Sequence, residues 1–147
     1  MIRSDLTGPF LCYQRFVRLR RALGGSGKIV NVTSVHGSIP SPKAAASGAA
    51  KGGLRNLTRT LALEVAPGRI AVNNVAPGLT DTPMTAGALG DPKTRDEAMK
   101  AIPLGRPGTP REVARLIVYL ASGDADYVTD QTFTIDGGLT MNWGQGA

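Results

Sequence analysis

Between residues 9 and 23, apolar side chains at Phe10, Tyr13, Phe16, Val17, Leu19 and Leu23 recur at three- and four-residue steps and stop at Gly24-Gly25-Ser26-Gly27. That period predicts a helix with a glycine stop. The next segment, Lys28-Ile29-Val30-Asn31-Val32-Thr33-Ser34, is short, β-branched and bounded by turn residues, as expected of a strand buried on both faces. From Ala44 to Glu64 the positions Leu54, Leu57, Leu61 and Val65 mark one helical stripe, closed by Pro67-Gly68. Arg69 to Ala76 repeats the buried-strand pattern and ends at Pro77-Gly78. Residues 79 to 108 hold several glycines and prolines and a polar stretch, Asp91 to Lys100, with the character of a short helix; the whole segment reads as an insertion over a site. Thr109-Pro110-Arg111-Glu112 is a capping-box helix start followed by the stripe Val113, Leu116, Ile117 and Leu120. Thr132-Phe133-Thr134-Ile135 before Asp136-Gly137-Gly138 reads as a last strand.

Helix, strand, helix, strand, helix, strand predicts an α/β fold with a parallel sheet and right-handed crossovers. A doubly wound sheet normally opens on a strand and its phosphate-binding turn, so an order that opens on a helix predicts that the beginning of the fold is absent. A length of 147 residues fits one domain, residues 1–147. Gly 19 and Pro 10, with 41% hydrophobic and 19% charged residues, describe a folded chain rather than a low-complexity one.

Charge and cysteine content narrow the function classes. The balance of 17 basic and 11 acidic residues leaves +6, which suits an anionic partner such as nucleic acid or a phosphate-bearing cofactor. Arg15, Arg18, Arg20 and Arg21 interleave with apolar residues at helical spacing, so they read as a solvated helix face and not as a nucleic-acid surface. Cys12 is alone, which excludes an internal disulfide and a cysteine metal cluster; within Phe10-Leu11-Cys12-Tyr13 it reads as a buried small hydrophobe. No apolar run reaches membrane-spanning length and the start lacks a signal-peptide core, so a cytoplasmic location without a membrane is expected.

Candidate chemistry lies near the strand ends. Gly24 to Gly27 precedes a strand, whereas a phosphate cradle follows one, so it reads as a connector. His36, the single histidine, reads as a surface loop residue. Ser34 lies at the C-terminal end of a strand, where open α/β sheets place functional groups. Ser47 and Lys51 are four apart and share a helix face.

The segments Asn31-Val32-Thr33-Ser34, Ala50-Lys51-Gly52-Gly53-Leu54, Leu57 to Glu64, Val72-Asn73-Asn74-Val75-Ala76-Pro77-Gly78 and Ile135-Asp136-Gly137-Gly138 together resemble the short-chain dehydrogenase/reductase family, collinearly over nearly the whole chain. Ser34-Val35-His36, the Asp91-Pro92 region, Ile102 to Arg106 and Tyr127-Val128-Thr129 resemble its glucose 1-dehydrogenase-like branch most. The resemblance implies the C-terminal part of a doubly wound, Rossmann-like sheet, with the N-terminal cofactor-binding half absent, and hydride exchange between NAD or NADP and an alcohol/carbonyl pair, in the nearest branch a sugar.

In that family a Ser holds the substrate oxygen, a Tyr is the acid/base, a Lys four residues on lowers the Tyr pKa and binds cofactor ribose, and an Asn supports a proton-relay water. Ser34 and Lys51 match. Ser47 stands at the Tyr position and Asp5 at the Asn position. Pro77, Gly78, Thr80 and Thr82 fall on the cofactor-contacting segment; Thr80 replaces the usual aliphatic residue, and Thr82 matches a cofactor-contacting threonine. Asp130 replaces a glycine. The glycine-rich turn, the acid that reads the 2′-hydroxyl and the first four strands correspond to roughly 80 to 100 residues ahead of Met1. The expectation is a chain inactive by itself, with the alternative of a non-catalytic partner of a full-length relative. The long helix, the helix before it and the C-terminal segment would form the homo-oligomer contacts.

Overall fold

The computed structural model describes residues 1–142. Three parallel strands, β1 (Gly27–Val32), β2 (Ile70–Pro77) and β3 (Thr132–Ile135), form one sheet in the order β1-β2-β3. Asn31 pairs with Asn74, and Val75 pairs with Phe133. Helix α1 (Gly8–Ala22) precedes β1 and α2 (Ala45–Val65) links β1 to β2. Between β2 and β3 lie α3 (Ala86–Gly90), α4 (Pro92–Ala101) and α5 (Pro110–Ala121), and α6 (Leu139–Asn142) follows β3. This is the α/β, Rossmann-like arrangement that the alternation of elements predicts.

The pleat sorts the two cores. On one face Val72 and Ile70 pack with Val17, Ala62 and Val65, with Ile29 and Phe16 beside them. On the other, Val75 packs with Leu120 and Ala125, flanked by Val30, Leu116 and Phe133. Burial on both faces explains why the strands read as continuous apolar runs. α5 starts as predicted, with the Thr109 side chain accepting from the Glu112 amide and the Glu112 carboxylate accepting from the Thr109 amide.

Several expectations on α1 do not hold. The helix packs through Tyr13 and Val17, one turn apart, with Phe16 alongside. Phe10, Leu19 and Leu23 are exposed, and Cys12, one position off the packed face, is exposed rather than buried. The cause is topological: β1 is the edge of the sheet among the described residues, so a helix beside it meets packed surface along only part of its circumference. Arg20, expected on a solvated face, is half-buried. His36 lies on a 3-10 turn, Val35–Gly37, half-buried with Nδ1 shut from solvent and unpartnered among the described residues.

A polar ladder crosses the sheet beneath α2. The Tyr13 hydroxyl donates to the Asn31 side-chain oxygen. Asn31 Nδ2 donates to Thr58 Oγ1 at 2.7 Å, Thr58 Oγ1 lies 2.8 Å from Asn74 Oδ1, and Asn74 Nδ2 donates to Thr132 Oγ1 at 3.1 Å. Burial outweighs the Asn31 hydrogen bond and holds the Tyr13 pKa well above its ordinary value, so the phenol stays protonated as a donor.

Candidate active site

Ser34 follows β1 at its C-terminal end and caps the Val35–Gly37 turn, its hydroxyl accepting from the His36 amide at 3.2 Å. That turn is pressed onto α2 where glycines allow it. A Cβ at Gly37 would lie 3.0 Å from the Lys51 carbonyl carbon and oxygen, and one at Gly48 would lie 3.2 Å from the His36 carbonyl oxygen. The strand end and the helix segment from Ser47 to Lys51 are therefore fastened side by side.

Lys51 Nζ donates to the Val32 carbonyl at 3.1 Å and lies 3.9 Å from Asp5 Oδ2. Asp5 reaches it from a π turn, Arg3–Thr7, that runs directly into α1, and sequence periodicity offered no sign of this turn. Both partners are about a quarter exposed, at 21% and 31%, so the pair is only partly screened by water. Ser47 is half-buried one turn before Lys51 and makes no side-chain hydrogen bond to another described residue. A serine hydroxyl there is short of reach and far weaker as an acid than a phenol of ordinary pKa near 10. The end of β1 thus carries a held Ser34, a positioned cation and an added carboxylate, with no acidic hydroxyl between them.

The second strand end is built by a different set of contacts. Pro77 closes β2, and Gly78 lies so near β3 that a Cβ there would sit 2.6 Å from Asp136 Cβ. Thr80 Oγ1 donates to the Gly78 carbonyl at 3.3 Å, and Thr80 bridges to Gly108, which draws the ends of the 79–108 segment together. Thr82 and Thr85 form a hydroxyl cluster: Thr85 Oγ1 donates to the Thr80 carbonyl at 2.6 Å and accepts from the Thr82 amide at 3.0 Å. Thr82 is thereby placed in a turn-stabilising network, and Thr85 is a participant that the sequence reading missed. The 79–108 segment folds back onto the Asp136 turn, with the Leu104 amide donating to the Gly137 carbonyl at 3.1 Å and Pro103 against Gly138. Burial works to raise the Asp136 pKa, but hydrogen bonds from Thr140 and Gly138 outweigh it and hold the carboxyl below its ordinary value.

A cleft of about 520 Å³ opens between the loop from His36 to Ser41 and the start of α2 at Ala44, Ala45, Gly48 and Ala49. It adjoins the Ser34 turn without being lined by Ser34, Ser47 or Lys51. The cation and hydroxyls gathered at the two strand ends, Lys51 Nζ with Ser34, Thr80 and Thr82, are chemically suited to the hydroxyl-rich nicotinamide-ribose end of a dinucleotide, whereas the space beside Gly78 is filled by Asp136. Among the described residues the glycine-bearing turn that leads from a strand end into a helix, Asp136-Gly137-Gly138 between β3 and α6, is packed against Ile102, Pro103 and Leu104, so it is not an open cradle for a pyrophosphate.

Residues 1–140 match the family described as enoyl-(acyl carrier protein) reductase. The chain is 41% identical over 137 residues to the glucose 1-dehydrogenase of Gluconobacter oxydans, covering 93% of this chain and 52% of the relative. It is 41% identical over 150 residues to the 3beta-hydroxysteroid dehydrogenase 1 of Eggerthella lenta, covering 99% and 58%. The crystal structure of a gluconate 5-dehydrogenase from Burkholderia cenocepacia in complex with NADP and tartrate superimposes with a TM-score of 0.91 at 35% identity, covering 96% of this chain and 55% of the other. The chain spans about half the length of the curated relatives it matches. With the motifs, the parallel sheet and the match over residues 1–140 in agreement, the chain belongs to the short-chain dehydrogenase/reductase family.

Proposed function

We propose that this chain carries the substrate-side and oligomer-forming part of an NAD- or NADP-dependent oxidoreductase acting on an alcohol/carbonyl pair of sugar type, and that alone it turns over no substrate. One observation carries the reading: Lys51 is held on the Val32 carbonyl at the end of β1, the strand that Ser34 follows, and a serine, Ser47, stands one turn before it on α2. When bound, a nicotinamide supplies the hydride acceptor or donor. The chain's own residues do the rest. Ser34 Oγ, fixed by the His36 amide, would present a hydrogen bond to a substrate oxygen; Lys51 Nζ would offer positive charge and donors to a ribose hydroxyl; Gly78 and the 79–108 segment, tied to the Asp136 turn, would shield the site from water.

Ser47 breaks the proton path. A hydroxyl of alcohol-like acidity does not exchange a proton with substrate near neutral pH, even beside Lys51, because efficient general acid/base groups titrate near the working pH. Calorimetry of the chain with NAD and with NADP, and an assay with glucose as substrate, tests the reading. Binding weaker than micromolar and no reduction of either nucleotide are expected; turnover by the unaltered chain would overturn the assignment of Ser47.

The second reading, a non-catalytic partner of a full-length relative or of other copies, is favoured by exposed Phe10, Leu11 and Leu19 on α1 and Leu23 just after it, beside β1, the edge strand among the described residues. The C-terminal segment expected to contribute lies beyond residue 142 in part, outside the described residues. Light scattering on the purified chain would show a discrete oligomer on this reading.

A further inference from the structure

At the end of the sheet opposite the candidate active site, the carboxyl ends of α1 and α2 frame a cavity of about 270 Å³ lined by Arg20, Arg21, Gly24, Gly25, Gly68 and Arg69, among others. Three arginines therefore line one small space. None of them forms an ion pair among the described residues, whose ion pairs are Lys28–Asp126, Lys51–Asp5 and Arg106–Glu112. The neighbouring cation Lys28 is already neutralised by Asp126 at 2.9 Å, and the carboxylate of Glu64, the nearest acid on α2, pairs with none of the three.

Basic residues at a helix carboxyl end often serve only to satisfy its carbonyls. Here that explanation covers one residue of three. The Arg21 guanidinium donates to the Glu64 carbonyl at 3.4 Å. Three of the last four carbonyls of α1 are taken by backbone: Leu19 accepts from the Leu23 amide, Arg20 from Gly25 and Arg21 from Gly24. The Ala66 carbonyl accepts from the Arg69 amide. Among the described residues neither Arg20 nor Arg69 donates a side-chain hydrogen bond to a carbonyl, as Arg21 does.

Arg20 is instead positioned by packing. Its guanidinium packs against Gly25, where a Cβ would stand 2.2 Å from Nη2, and its stem passes Gly27. Its Nε is shut from solvent without a hydrogen-bond partner, a donor whose burial costs free energy unless it is met. Arg69 is presented by a left-handed backbone, φ 55°, at the close of the Ala66–Gly68 turn. Like charges held together without a counter-charge raise each other's energy, and a multiply charged anion reverses that sign. Guanidinium groups are also the side chains best matched to phosphate oxygens.

We propose that Arg20, Arg21 and Arg69 form a binding site for a small phosphate-class anion, remote from the Ser34 and Lys51 site. The cavity accommodates a diphosphate group, and the site is independent of whether the chain catalyses hydride transfer.

Inorganic pyrophosphate titrated into the full chain by calorimetry, with phosphorus NMR in parallel, tests the proposal. Saturable binding that weakens as salt is raised is expected, at least 10-fold weaker in Arg20→Gln and in Arg69→Gln and unchanged in Arg115→Gln, an exposed arginine on α5. Should Arg20→Gln fail to fold by circular dichroism, Arg69→Gln, whose side chain is exposed, carries the test. Absence of saturable binding, or equal affinity in Arg69→Gln and the parent, overturns the proposal.

Discussion

The Lys51 ammonium stands 3.9 Å from the Asp5 carboxylate while donating to the Val32 carbonyl at 3.1 Å. The cation that should bias an acid/base hydroxyl therefore spends part of its field on a neighbour of opposite sign. In a Ser47→Tyr background the introduced phenol should titrate higher with Asp5 present than with Asp5→Asn. Ultraviolet titration should show the Asn substitution lowering the phenol pKa by about 1 unit, the usual scale for removing a nearby like-sign charge.

Tyr13→Phe removes the donor to Asn31 and leaves a buried carbonyl oxygen unmet. A loss of about 1–3 kcal/mol in denaturant unfolding is expected. The pH dependence follows from the raised folded-state value: the contribution is complete below the unfolded phenol's 10.0 and is lost as pH rises through the folded value. The parent should therefore lose stability above about pH 10, and Tyr13→Phe should show a flatter alkaline limb.

Asp130 adopts φ 61°, and its Oδ1 is buried without a partner. A left-handed backbone of this kind favours glycine, the residue that the family resemblance leads one to expect where this chain has Asp130. Asp130→Gly should stabilise the fold by about 0.5–1 kcal/mol, since it relieves a left-handed side chain and an unmet acceptor together. Thermal unfolding measures it; a destabilisation would show that the carboxylate has a role.

Arg106 hydrogen bonds, followed by the Thr109 amide and hydroxyl, lower the Glu112 pKa from an ordinary 4.5 to about 2. A depressed carboxyl contributes stability above its unfolded value, and that contribution fades as pH falls through the folded value. Unfolding followed between pH 4.5 and about 2 should show a decline that Glu112→Gln lessens. Because the group is solvent-exposed, the effect should also shrink at high salt.

Periodicity was enough for the elements that bury a face. β3 ends where Thr132 and Ile135 predict, and the Thr109 capping box closes as written. Failures fall where tertiary contacts override local pattern. Cys12 and Leu19 sit in an apolar helix but face outward because α1 lies at a sheet edge. Thr58, in the middle of α2, is fully buried because its hydroxyl joins Asn31 to Asn74 across two strands, a role that no single segment displays.

Ser34, Ser47 and Lys51 were singled out as candidates by their spacing and by the family motif, and the strand end and helix segment that carry them lie side by side. The Asp5–Lys51 pair was not legible in this way, since it depends on a π turn and on a contact 46 residues apart in sequence. Thr85 was equally hidden, because its two partners lie within its own turn and carry no periodic signal.

The most direct measurement joins this chain to the part of a relative that it does not span and compares nicotinamide reduction with and without Ser47→Tyr. Turnover should appear only with the substitution, because Ser34 is held at the strand end and Lys51 is fixed beside it, whereas Ser47 offers no hydroxyl acidic enough for acid/base work. Equal turnover by the unaltered joined chain would contradict the account.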